Sequence, residues 1–80
     1  MIEVTARYFA AFRECAGRES ESVTTAAATA AELYGELAER HGFRDAIGCC
    51  KVAINDELRE WDAPLEAGDE VLFFPPVAGG

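Results

Sequence analysis

Nowhere in the 80 residues is there an apolar run long enough to span a bilayer. The opening MIEVTARYF alternates instead of showing a secretory signal pattern. Both absences point to a cytoplasmic protein. Cysteine is sparse and badly spaced for metal work. Cys15, Cys49 and Cys50 are an odd number, two of them adjacent, with neither C-x-x-C spacing nor the C-x₄-C-x₂-C of plant-type ferredoxins. The lone His41 has no cysteine or histidine placed to share a zinc ion with it. No metal and no bound cofactor are therefore expected, and burial is the expected role of all three thiols. Basic charge is scarce as well. Seven Lys and Arg stand against 15 Asp and Glu, a net charge of −8. Nucleic acid and anionic membranes both require a basic face, so neither is an expected partner. A basic protein partner suits this charge, because complementarity speeds encounter. Repeats, low-complexity stretches and internal linkers are missing too, which leaves one small domain.

What is present is strongly patterned. Ile2, Val4, Ala6 and Tyr8 alternate with Glu3, Thr5 and Arg7, the period of a half-buried strand. Phe9 to Ala16 breaks that period as a turn or short helix ending at Gly17, and the charged stretch from Glu19 to Thr25 suits an edge strand. Thr29 followed by Glu32 is a capping-box pattern for a helix start. From there Ala30, Leu33, Tyr34, Leu37, Ala38 and His41 recur as one apolar stripe, up to the stop at Gly42. His41 is read as a helix-terminus residue without a function. Cys50, Val52 and Ile54 alternate again, Asn55-Asp56 is a turn, and Glu57 to Trp61 pairs back as a short strand. Asp62 to Asp69 is a loop anchored by Leu65, before the apolar run Val71-Leu72-Phe73-Phe74. An unbroken apolar run predicts a central strand buried on both faces.

This order predicts an α+β chain with a mixed sheet of four to five strands and one main helix on one face. The β-grasp (ubiquitin-like) arrangement fits it, with the first and last strands as central neighbours. A helix covering one face leaves the outward side chains of the last strand, together with Phe9, without cover. Such a patch marks a partner surface, unless the segment from Phe43 to Gly48 folds over it.

The last six residues are Pro75-Pro76-Val77-Ala78-Gly79-Gly80. Two prolines cannot donate to a sheet ladder, so the domain is expected to span residues 1–74, with 75–80 as an extended tail. From Phe74 to Gly80 the chain reaches roughly 20 Å when fully extended. Glycines at the end thread a narrow channel and leave the terminal carboxylate open to activation. A carboxylate is a poor electrophile, so chemistry at Gly80 requires activation, and adenylation by an ATP-using enzyme would turn it into an acyl-adenylate. A sulfur nucleophile then yields a thiocarboxylate, or an amine yields an amide.

The run from Gly68 to Gly80, the early Phe9-Ala10-Ala11-Phe12-Arg13-Glu14 and the helix opening at Thr29 resemble the MoaD/ThiS sulfur-carrier superfamily. Phe73-Phe74-Pro75-Pro76-Val77-Ala78-Gly79-Gly80 is most similar to its branch of molybdopterin synthase small subunits (MoaD). The resemblance implies a β-grasp fold and adenylation of Gly80 by an activating enzyme of the ubiquitin-activating type. A Gly80 thiocarboxylate would then donate sulfur to precursor Z in molybdenum cofactor biosynthesis. It further implies a large catalytic subunit in a heterotetramer, with the catalytic residues on that subunit. Phe9, Arg13 and Phe74 would contact the partner, and Pro75, Pro76, Val77, Ala78 and Gly79 would lie in its channel. Sulfur carriers for thiamine or tRNA thiolation, protein conjugation, and a non-reactive β-grasp adaptor are the alternatives.

Overall fold

A computed structural model describes residues 1–76 of the chain. Its elements are β1 (Ile2–Tyr8), α1 (Ala11–Ala16), β2 (Ser20–Thr25), α2 (Ala30–His41), a 3₁₀ turn (Ile47–Cys49), β3 (Lys51–Ile54), β4 (Glu57–Arg59) and β5 (Glu70–Phe74). The five strands form one mixed sheet in the order β2-β1-β5-β3-β4. The first and last strands pair in parallel at its centre, with Tyr8 opposite Phe73, and all other pairings are antiparallel. This is the ubiquitin-like β-grasp arrangement.

Alternation decides which face is buried. Val4, Ala6 and Tyr8 of β1 and Val71 and Phe73 of β5 point into the core. There they meet Leu33, Tyr34 and Leu37 of α2. The helix begins as its residue types require, since the Glu32 amide donates to Thr29 Oγ1 at 3.3 Å. The reciprocal bond is displaced by one residue: Glu32 Oε1 accepts from the amide of Ala28. Gly42 ends α2 in the left-handed conformation, φ 78°, which costs glycine little. At Asn55-Asp56 both φ angles are positive, 53° and 69°, as a two-residue hairpin turn requires. The Asn55 side chain then clamps that turn to β5, donating to Asp69 and accepting from the Glu70 amide.

Two expectations need correction. The run Val71–Phe74 is central but not buried on both faces: Leu72 and Phe74 are only half-buried, because α2 covers one side. Burial also fails as the common role of the cysteines, since Cys50 is buried while Cys15 and Cys49 are exposed. Cys50 donates its thiol hydrogen to the Ala46 carbonyl at 3.3 Å, and burial pushes that thiol up.

A candidate partner-docking face at the tail exit

The outer face of the sheet is built by register. Leu72 lies opposite Ala53 on β3, which in turn lies opposite Leu58 on β4, so these side chains share one side of the pleat. Phe74, two residues beyond Leu72, falls on that same side. Phe9 joins it from the end of β1, where its amide donates to the Phe73 carbonyl at 3.3 Å. The rings of Phe9 and Phe74 meet with centroids 5.6 Å apart. Phe9 is 55% exposed and Leu58 69% exposed, so the face is apolar and open to solvent. The segment after α2 does not cover it. Phe43 turns to the opposite side and packs between Phe12 and Tyr8, 4.6 and 5.7 Å away by ring centroid.

Phe9 faces outward because it follows the inward-pointing Tyr8 in the strand alternation. Ala10 has φ 52° and ψ −120°, a conformation that favours glycine, between the last residue of pairing and the first turn of α1. Arg13 is exposed one turn along α1, four residues from Phe9. Among the described residues it forms no ion pair. Structure thus brings Phe9 and Phe74 into contact and leaves Arg13 nearby but unattached. Arg7 and Glu70, paired at 3.1 Å, flank the apolar stripe.

Beyond Phe74 the chain leaves the sheet at Pro75, half-buried, and Pro76, exposed. Prolines stop the ladder there because they lack the N–H it needs. Val77, Ala78, Gly79 and Gly80 lie outside the described residues. An open groove lined by Ile47, Cys50, Lys51, Leu58, Arg59 and Trp61 borders the same end of the sheet. Lys51 stands directly opposite Phe74 across the β3–β5 ladder.

Leu58 is the member of this face that sequence reading missed. Nothing in the short run Glu57-Leu58-Arg59 marks which way its leucine faces, and register with Ala53 sets it outward. The signal for it is the neighbouring strand: once Val52 and Ile54 face the core, Ala53 and its partner Leu58 must face away. A second group went unseen. His41 Nε2 and Glu21 Oε2 lie 2.6 Å apart, and the Tyr8 hydroxyl donates to that same oxygen. Burial tends to raise the Glu21 carboxyl. The hydrogen bonds from Tyr8 and His41, with the charges of His41 and Arg18, outweigh it and hold the group below its ordinary range. Tyr8 is pushed far up, by burial first and by Glu21 second. This cluster ties β2 to the end of α2, on the far side of the sheet from the Phe9–Phe74 patch.

A family model described as the ThiS family matches residues 6–80. The chain belongs to that family. It is 37% identical over 83 residues to the molybdopterin synthase sulfur carrier subunit of Escherichia coli K12, with all of both chains covered. Identity to the subunit of the same name from Mycobacterium tuberculosis H37Rv is 35%, again over the whole of both chains. Among solved structures, a complex of subunits 1 and 2 of the molybdopterin-converting factor from Helicobacter pylori contains a similar chain. That chain superposes with a TM-score of 0.66 at 31% identity, covering 99% of this chain and 100% of the other. No helix among the described residues is long and apolar enough to cross a membrane.

Proposed function

We propose that this chain is the sulfur-carrier subunit of a molybdopterin synthase, with the Gly80 carboxylate as its reacting group. The observation that carries the reading is the exposed Phe9–Phe74 contact at the point where a ThiS-family tail leaves the sheet. A carrier needs such a surface, because the chemistry happens in other proteins and the tail must be delivered to them. The Gly80 carboxylate attacks the α-phosphate of ATP in an activating enzyme, pyrophosphate leaves, and an acyl-adenylate results. A sulfide-level nucleophile then attacks the acyl carbon, AMP leaves with the bonding pair, and a thiocarboxylate remains. The large subunit receives the tail, with Pro75 to Gly79 in its channel, and the thiocarboxylate sulfur attacks the cyclic pyranopterin substrate (precursor Z). Two copies of each subunit form the working assembly in the cytoplasm, and ATP serves the activating enzyme without binding here. Phe9, Arg13, Leu58 and Phe74 dock, and the large subunit supplies the catalytic residues.

Deleting Gly80 tests this directly. The shortened chain should keep its circular dichroism spectrum and its denaturation midpoint, because the core among the described residues is built by side chains from Val4 to Phe73. It should form no molybdopterin when combined with the activating enzyme, a sulfur source, the large subunit and precursor Z. Product formation at the wild-type rate would end the carrier reading.

A further inference from the structure

Strand register decides which charges lie on the open face of the sheet. Glu3 and Arg7 of β1 alternate with the buried Val4, Ala6 and Tyr8, so both turn outward. Glu70 of β5 precedes the outward Leu72 by two residues, and Lys51 of β3 stands opposite Phe74. From β2 only hydroxyl side chains turn this way, because Val23 and Thr25 point inward. Two cations and two anions on the strands therefore cancel. The chain as a whole carries −8, so its negative excess belongs to other surfaces. These charges are also ordered along the strands. Lys51 stands at the tail exit, exposed, and forms no ion pair among the described residues. Glu57 and Glu60 line the groove beside it, but neither pairs with it. Arg7 and Glu70 neutralise each other at 3.1 Å. Glu3 is near the other end, five residues before Tyr8, or about 17 Å along β1. That distance exceeds the Debye length of about 8 Å at physiological salt, so the two ends act on a partner separately.

We propose that the large-subunit surface seating on this face is apolar at its centre and acidic beside Lys51, at the point where the tail leaves the sheet. This rests on the carrier reading above and gives the partner its chemistry. Cross-strand neighbours have Cα atoms about 5 Å apart, so a partner that closes over Phe74 also closes over Lys51. A lysine covered without an anion loses hydration and gains nothing in exchange. No carboxylate of this chain among the described residues is within ion-pair reach of Lys51, so the partner must supply one. Arg13, exposed and unpaired on α1 beyond Phe9, adds a second cation at the same end. Arg7 differs, because it reaches the interface already paired with Glu70 and asks for no partner charge. Net charge alone leads to the opposite demand, a basic surface. The two demands differ in sign at Lys51.

That difference makes the test. Association of the full chain with the large subunit is followed by surface plasmon resonance at low and at high salt. Lys51→Glu is compared with Arg40→Glu, which changes the net charge equally. Arg40 pairs with Glu36 along α2, in the layer opposite the open face. At low salt Lys51→Glu should associate about fivefold more slowly than wild type, and the difference should close at high salt. Lys51→Gln, which removes the charge without reversing it, should lose less. Arg40→Glu should be no slower than wild type. The acidic contact is overturned if Lys51→Glu and Lys51→Gln associate at the wild-type rate or faster, as a basic surface would make them. It is also overturned if the loss persists at high salt, or if Arg40→Glu slows association as much. Those results leave the carrier reading standing, because conversion of Gly80 is measured separately on the wild-type chain. Failure of the wild-type chain to bind the large subunit would remove both.

Discussion

Glu21 shows how much of this small fold depends on a few polar contacts that no local pattern announces. Its side chain is 11% exposed and accepts from Tyr8 while pairing with His41. His41 is 20 residues away in sequence, so His41 reads as an isolated helix-end residue until the sheet sets β2 beside α2. The same gap explains the cysteines: residue type favours burial for each, but Cys15 falls on the solvent side of α1 and Cys49 in an exposed turn. The Glu21 carboxyl titrates below its ordinary value of 4.5 in the folded chain. Its contribution to stability is present above that value and is lost as pH falls through the depressed folded one. Glu21→Gln should therefore lower the urea midpoint clearly at pH 7, and the gap from wild type should shrink at pH 3. An equal gap at both values would show that ionisation of Glu21 contributes nothing.

At the scale of elements, periodicity carried most of the information. The strand alternation in Ile2–Tyr8, the stripe from Ala30 to Leu37 and the edge character of Ser20–Thr25 all follow from residues close in sequence. The Val71–Phe74 run misleads because apolar residues on an open outer face look the same in sequence as residues kept for a core. Leu58 on β4 is hidden for the same reason. Capping was readable because it is local. Thr29 accepts from the Glu32 amide, and Thr29→Ala should cost about 1 kcal/mol. Equilibrium urea unfolding measures this as a lower midpoint at unchanged slope. Glycine at the same position should cost only a few tenths, because it is itself a tolerated cap.

Over the whole molecule, the core and the candidate docking face sit on opposite sides of one sheet. Phe12, Tyr34, Phe43 and Phe73 fill the helix side, while Phe9, Leu58, Leu72 and Phe74 lie on the open side. Phe74→Asp should keep the fold at a modest cost in stability, because the side chain it replaces is half-buried on the open face and not part of the core. Calorimetric affinity for the large subunit should fall by about 30-fold or more, as expected for an aromatic anchor worth about 2 kcal/mol. Unchanged affinity would move the interface elsewhere. The chemistry proposed for the tail rests on sequence alone, two glycines behind two prolines. The open apolar face was only half legible, since it depends on strands brought together from both ends of the chain. The central claim is that Gly80 becomes a thiocarboxylate, and intact-mass spectrometry measures it most directly. After incubation with an adenylating enzyme, ATP and a sulfur source, the chain should gain the mass that replaces one oxygen by sulfur, with the change mapped to Gly80. An unchanged mass, with an enzyme that charges another carrier in the same mixture, would contradict it.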